Sequence, residues 1–526
     1  MGGFTAVVEG DGDANYPESR VLMIITGGTI CMQPSEGGLV PVDGFLENAM
    51  AVRPSFNDAS PKVPLSAVKD GKTITIDSLR TPPSSYSRHI RYGALEFSPL
   101  LDSSSISSVG WTQIANTIKE NYHLFDGFVV LHGTDSLAYS ASALSFMMED
   151  LGKPVILTGS QASIFALQSD AVDNLLGSLI IAGTFVIPEV CLFFHHTLFR
   201  GNRTTKVSAS SFEAFASPNC DPLAKVTSLG VDVNWSLVQR PTKIARFGAT
   251  SHLDTAHVAC VRIFPGIKPE MVDSVLRVPH LRGLILETFG MGNAPAGVDG
   301  SLTKVIADAV ARGIVVVNVS QCTNGFVSPL YAPGFALGQA GVVFGHDLTT
   351  EAALTKLSYL LARPDLAATA ADVGARMAAS LRGEMTVLAT PSFTHPAGSL
   401  DAEAAAAETR LLGPGDAAFA ALGYAIQAGD LAAIRALLEG DEVHHQLLQR
   451  GDYAGNTAVH LAAVGGRRSG EILRELLLRG ASVHARNRAN NTPLFLAEKL
   501  GNAEVVGLLK SAGAEVWTEE GTGRPS

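Results

Sequence analysis

Residues 21–29 read Val21-Leu22-Met23-Ile24-Ile25-Thr26-Gly27-Gly28-Thr29, five apolar residues running without alternation into a Gly-rich turn. A strand with one wet face alternates apolar and polar residues. An unbroken short run marks instead a strand covered on both faces, as in a parallel sheet. The pattern returns twice: residues 128–131 end in His132-Gly133-Thr134-Asp135, and residues 155–157 end in Thr158-Gly159-Ser160-Gln161. Helical patterns separate these runs. After Asp135, Leu137, Ala141, Leu144, Met148 and Leu151 recur at spacings of four and three, one apolar stripe that Gly152 and Pro154 stop. Met147 and Met148 therefore read as packing rather than as a cofactor box.

Working outward, 526 residues are enough for roughly three domains of about 150 residues. With 46% hydrophobic and 17% charged residues a large core is easily filled. Abundant Gly and Ala with few aromatics suit α/β layers joined by tight turns. The net charge of −11 and the lack of a basic stripe argue against nucleic acid and leave a small zwitterionic substrate compatible. Cys31, Cys191, Cys220, Cys260 and Cys322 show no CxxC spacing and read as free thiols of a reducing compartment. His195-His196 has no acidic partner at ligand spacing, so no metal is expected. Residues 1–20 lack the apolar run of a signal peptide, and Ala6 stands where a myristoylation motif needs Ser or Thr. The most apolar stretch, 179–194, contains Pro188 and Glu189 and reads as a helix end running into a buried strand, too short to span a bilayer. The expectation is a cytoplasmic protein without a membrane segment.

Residues 53–88, richer in Pro, Ser and charge, read as a surface insertion. A second α/β unit begins near Ala256, with strand-like runs at 258–264, 283–287 and 314–319, a helical pattern over 302–311, and a capped helix within 347–361. Composition shifts after Arg382, and Pro391, Pro396 and Pro414 mark a linker. Beyond it Asn456-Thr457-Ala458-Val459-His460-Leu461-Ala462 is echoed 35 residues later by Asn491-Thr492-Pro493-Leu494-Phe495-Leu496-Ala497, and Gly480-Ala481 is echoed 33 residues later by Gly513-Ala514. That is the ankyrin period, with a degenerate earlier copy at 425–440. Such repeats bury their faces only against neighbours, so three copies are near the minimum. The expected divisions are a disordered tail at 1–19, α/β domains at 20–240 and 256–386, a linker at 387–415, and all-α ankyrin repeats at 416–518.

Three strand-end loops place hydroxyls, carboxylates and an amine where open α/β sheets build sites. The turn Thr26-Gly27-Gly28-Thr29 alone is as compatible with a plain tight turn as with a phosphate cradle, and neither GxGxxG nor GxxxxGK is present. It is joined by Thr134 and Asp135 at the next strand end and by Arg200-Gly201-Asn202-Arg203-Thr204-Thr205-Lys206. A threonine hydroxyl is a poor nucleophile until a base takes its proton. A lysine serves as that base when its surroundings lower its pKa, and an aspartate orients it. Spacing does not establish that Lys206 reaches Thr134.

Thr26-Gly27-Gly28-Thr29-Ile30, Asp102-Ser103-Ser104, His132-Gly133-Thr134-Asp135 and Arg200 to Lys206 together resemble, in order and approximate spacing, the type I L-asparaginases. The likeness covers residues 20–386. With its ankyrin tail the whole chain resembles the animal members of that family, which are also called lysophospholipases. The resemblance implies an α/β, two-domain asparaginase-like fold with mostly parallel sheets, assembled into dimers or tetramers, with no metal or organic cofactor. It implies hydrolysis of L-asparagine to L-aspartate and ammonia, with Thr29 as the nucleophile that forms an acyl-enzyme. Thr134, Asp135 and Lys206 are then a second triad that positions or activates the attacking group or water. Asp102, Ser103 and Ser104, with Thr134 and Asp135, are the implied substrate-binding residues. Holding the remote zwitterion fixes the amide near the nucleophile, and donors around the oxyanion lower the barrier.

Some positions depart from the pattern. Leu39 stands where bacterial members carry a tyrosine; in animal members a tyrosine of the C-terminal unit substitutes, and the matching residue is Tyr331. Cys31 replaces the usual glycine. Thr205, Asn293 and Cys322 match a bacterial allosteric asparagine site, but Glu287 stands where an arginine binds the effector's carboxylate, and an anion there repels that group. His132, inside the motif, reads as structural. Two other functions compete. One is lysophospholipid deacylation or transacylation, for which no Gly-x-Ser-x-Gly elbow is present. The other is a silent scaffold whose ankyrin face binds a protein partner, against which the intact Thr29, Thr134, Asp135 and Lys206 count. Asparagine and glutamine differ by one methylene, worth only about 1–3 kcal/mol in a pocket.

Overall fold

The opening run fails to alternate because both of its faces are covered. In β1 (Glu18–Ile25), Val21, Met23 and Ile25 pack into the core on one face of a sheet and Leu22 and Ile24 into the core on the other, all fully buried. The computed structural model describes residues 16–36, 38–42, 44–100, 103–240, 245–250, 252–329, 332–387, 414–439, 447–452, 454–464, 466 and 468–514. The chain forms two units, Met1–Gln239 with Phe247–Val387, and Arg240–Arg246 with Leu388–Ser526. β1 starts inside the tail expected at 1–19, where Glu18 accepts hydrogen bonds from Arg91 at 2.7 and 2.9 Å. The rest of that tail, 1–15, and most of the expected linker, 388–413, lie outside the described residues.

β1 is flanked by β2 (His89–Glu96) and β3 (Gly127–Leu131), and β4 (Val155–Thr158) and β5 (Val190–Phe194) continue beyond β3, all five parallel. The order β5-β4-β3-β1-β2 reverses direction between β1 and β3. Four antiparallel strands bring the sheet to nine among the described residues: Ser78–Arg80 beside β2, and Thr197–Arg200, Ala224–Thr227 and Gly230–Val233 beyond β5. Residues 53–88 are thus partly woven into the unit rather than a surface insertion. Their hairpin, Leu65–Lys69 with Lys72–Ile76, packs on α1 (Ser108–Asn121), where Asn121 bonds both the N–H and the C=O of Val68 at 2.7 and 2.8 Å.

The helix after Asp135, α2 (Leu137–Met147), ends before the expected stop. Met148 is extended, and Met148–Glu149 pairs instead with Gly248–Ala249. Ten of its eleven residues are buried, so it has no wet face. α3 (Ala171–Thr184) covers the opposite face of the sheet and leads into β5, so residues 179–194 form a helix end and a buried strand. Among the described residues no helix is long and apolar enough to cross a membrane.

The C-terminal lobe of this unit is a four-stranded parallel sheet in chain order, β6 (Val258–Arg262), β7 (Gly283–Thr288), β8 (Val315–Ser320) and β9 (Val343–Phe344). Leu284, Leu286 and Val316 face the helix Ser301–Ala311. Ile285, Val315, Val317 and Val319 face α4 (Thr350–Leu361), and that core is continuous with α2 and the first sheet. The small residues on the back of α2 permit this close approach, and Ser142 and Thr355 share a hydrogen bond of 2.7 Å there.

Among its described residues the second unit is all-α. Its helices pair as Pro414–Ala428 with Leu431–Leu437, Ala458–Val464 with Ser469–Leu478, and Pro493–Lys499 with Ala503–Ser511. Leu422, Ile434, Val459, Leu476, Leu494 and Leu509 fill one core across the pairs. Buried His460 accepts from the Thr457 hydroxyl at 2.9 Å and donates to Asn491 O of the next repeat at 3.0 Å; burial lowers its pKa, which favours this neutral form.

Candidate active site

A parallel sheet opens a crevice at its strand C-termini wherever the strand order reverses, and here the reversal lies between β1 and β3. Thr26 ties the two strand ends together: its N–H and its hydroxyl both donate to Leu131 O, at 3.0 and 2.8 Å. Gly28 has φ 96°, and a Cβ built on it would lie 2.5 Å from Gly133 N, so the two backbones touch. Only glycine meets both conditions. Gly133 is pressed in turn against Ser103, whose Oγ would lie 2.4 Å from an added Cβ. Thr29 and Thr134 each follow one of these contacting glycines. Thr29 is half-buried and opens the short turn Thr29–Cys31.

Lys206, 72 residues from Thr134, donates from Nζ to Thr134 Oγ1 at 2.9 Å and to Asp135 Oδ1 at 2.9 Å. Thr134 is buried while Asp135 is exposed, which leaves the ion pair at the mouth of the crevice. The Thr134 hydroxyl donates to Gln161 Oε1 at 3.2 Å. Sequence reasoning left Gln161 as the end of a turn. The turn itself was the visible signal, but its closeness to Thr134 follows from β4 lying beside β3. Asp170, buried, accepts from Gln161 N at 3.0 and 3.1 Å and from Asn174 at 3.1 Å, and so holds this loop in place.

His132 is a strut, not a base. Trp111 Nε1 donates to Ser140 Oγ at 2.8 Å, Ser140 lies 2.9 Å from His132 Nε2, and His132 Nδ1 lies 2.7 Å from Gly133 O. With the serine accepting from Trp111, its proton goes to Nε2 and the neutral imidazole donates from Nδ1. Complete burial pushes the His132 pKa down to about 4, which keeps the ring neutral.

Of the other expected residues, Ser103 is buried at the crevice with its carbonyl accepting from Ser136 Oγ, while Ser104 is exposed. Asp102 and Tyr331 lie outside the described residues. Leu39 sits in the hairpin Met32–Ser35 with Gly38–Pro41, whose base is closed by Val42 N donating to Cys31 O at 2.9 Å. Cys31 is fully buried, and burial pushes its thiol pKa far up. Thr205 donates to Glu351 Oε1 at 2.7 Å, and Glu287 accepts from Thr350 at 2.6 Å with Arg262 at 3.5 Å. Cys322 is exposed, and the Asn293 backbone pairs with Phe289. Among the described residues no cluster of His, Cys, Asp or Glu is arranged to hold a metal ion.

Three family models match the chain in order. The family described as "Asparaginase, N-terminal" matches residues 20–239, "Glutaminase/Asparaginase C-terminal domain" matches 257–372, and "Ankyrin repeats (3 copies)" matches 420–520. A 60 kDa lysophospholipase of Mus musculus is 42% identical over 475 residues, covering 88% of this chain and 79% of that protein. An L-asparaginase of Dirofilaria immitis is 36% identical over 508 residues, covering 94% and 82%. L-asparaginase 1 of Escherichia coli K12 is 42% identical over 371 residues, covering 70% and 98%. Among solved structures, L-asparaginase I from Vibrio cholerae superposes with a TM-score of 0.58 at 39% identity, covering 70% of this chain and 100% of that one.

Proposed function

The chain belongs to the asparaginase family and carries ankyrin repeats, and from that premise we propose that it hydrolyses L-asparagine to L-aspartate and ammonia. The observation that supports the reading most is the contact of Gly28 with Gly133, since Thr29 and Thr134 each follow one of these glycines and Lys206 bonds Thr134 and Asp135.

In the proposed reaction Thr29 Oγ attacks the side-chain carbonyl carbon, and the C–N bond breaks as ammonia leaves with a proton. An aspartyl ester on Thr29 results. Water then adds to the ester, the C–O bond to Thr29 breaks, and the threonine regains its proton. Thr134 and Lys206 move the proton in one of these steps, with Asp135 orienting the amine and Gln161 holding the Thr134 hydroxyl between turnovers. Asp102, Ser103 and Ser104 hold the substrate's α-ammonium and α-carboxylate, and Tyr331 takes the catalytic part that a loop tyrosine plays in bacterial members. The catalytic lobes span 20–240 and 256–386 and assemble as dimers or tetramers. The repeats at 416–518 dock a protein partner.

The mouse relative's name supports a second reading, cleavage of a lysophospholipid ester by the same hydroxyl. One assay series tests both: ammonia release from L-asparagine and L-glutamine, and fatty-acid release from a lysophosphatidylcholine. Ammonia from asparagine, with none from the Thr29→Ala protein, is the expected result. Fatty acid without ammonia would replace the first reading by the second.

A further inference from the structure

Lys206 sits on a support that is weak on one side and strong on the other. Its strand, Thr205–Lys206, is two residues long and pairs with Phe215–Ala216. Among the described residues it is extended only by Val207 N and Ser208 N donating to Ala214 O at 2.8 and 3.3 Å, and residues 209–213 beyond it are exposed. Upstream, by contrast, four polar side chains reach the C-terminal lobe, while Thr204 bonds back to Arg200 O at 2.8 Å and Arg200 also pairs with Glu189 at 2.5 Å. Arg200 donates to Gly383 O at 3.4 Å and Asn202 to Arg382 O at 3.0 Å. Arg203 meets Asp347 at 2.8 Å, Gly383 O at 2.9 Å and Thr386 at 3.0 Å. Thr205, the last of them, donates to Glu351 Oε1 at 2.7 Å.

Successive side chains on a strand point to opposite faces. Thr205 therefore fastens to the C-terminal lobe while Lys206, next in the chain, points to Thr134 and Asp135. We propose that Glu351 is a positioning residue of the reaction: through the Thr205 hydroxyl it fixes the short strand that delivers Lys206. The inference rests on the amidohydrolase reading above.

Glu351 is suited to this. It is buried in the first turn of α4, whose N-cap Thr349 accepts from Ala352 N at 3.1 Å, and α4 belongs to the core shared by both lobes. Its acceptor is thus held by packed structure, and a misplacement of about 1 Å in a catalytic group costs on the order of 10²-fold in rate. Burial pushes the Glu351 carboxyl up toward its neutral form, which makes Gln a close replacement.

The test is steady-state ammonia release from L-asparagine by the full chain and a set of variants, with thermal melts alongside. Thr205→Val and Glu351→Ala should lower kcat about 10- to 100-fold while KM moves less than about threefold. Thr205→Ser and Glu351→Gln, which keep donor and acceptor, should recover kcat. Thr355→Val, which breaks a hydrogen bond between the lobes away from Lys206, should lower Tm and leave kcat alone. The proposal is overturned by a Thr205→Val protein with wild-type kcat, by Thr205→Ser being as impaired as Thr205→Val, or by Thr355→Val losing as much kcat. If Glu351→Ala fails to fold, the Thr205 pair decides. A wild-type chain inert toward asparagine would instead sink the amidohydrolase reading, and this proposal with it.

Discussion

In the α/β unit Thr26 reaches Leu131 across 105 residues and Lys206 reaches Thr134 across 72, whereas in the repeat unit His460 reaches Asn491 and Asn487 reaches Asn456 across 31 each. The first unit gathers distant strand ends into one crevice, so its chemistry depends on many loops arriving together. The second stacks like on like, and each repeat contributes mainly to its neighbours. A lesion in the first should therefore cost catalysis out of proportion to stability, and a lesion in the second the reverse.

The largest effect should come from Thr29→Ala and from Thr134→Ala, each lowering kcat by about 10³-fold or more with little change in Tm, as removal of a nucleophile or its activating group does. Asparagine turnover and melting curves on the same preparations check this, and substantial activity in both variants would dissolve the contrast between the units. Next is Gly28→Ala. At a φ of 96° that disfavours any side chain, the added methyl must displace the Gly133 backbone, so kcat should fall about 10²-fold and Tm should fall with it. Leu476→Ala, at a fully buried position of the repeat core, should cost that unit about 2–5 kcal/mol in denaturant unfolding and leave kcat unchanged. A loss of kcat there would show that the repeats support the site.

The smallest effect is shared by the two units. His132 and His460 both have a pKa lowered by burial, so the unfolded chain binds protons more readily than the folded one. Their contribution is complete above the unfolded value near 6.5 and falls as pH drops through it, for His132 down to about 4. At pH 5 the His132 penalty is about 2 kcal/mol. Melting the protein from pH 7.5 to 5 should show both units losing stability on acidification, and a Tm that rises over that range would contradict the neutral assignments.

How far the sequence could be read follows the same division. The repeat period was legible because its contacts are local and recur. β1 was legible because two covered faces leave a run without alternation. Three loops were likewise visible as strand ends, although their meeting was not: the contact of Gly28 with Gly133 and the place of Gln161 depend on strand order, which no spacing encodes. The end of α2 was missed for a related reason, since Met148–Glu149 pairs with residues a hundred positions later. Residues 53–88 were misjudged because a polar, Pro-rich composition does not exclude an edge strand. Asp102 and Tyr331 were expected at the site from resemblance and lie outside the described residues.

The most direct test is to trap the acyl group. Wild-type protein mixed with L-asparagine, quenched in acid before steady state and mapped by peptide mass, should carry an aspartyl group on the peptide that contains Thr29. Ammonia release with the adduct on the Thr134 peptide, or with no adduct at any quench time, would contradict the mechanism.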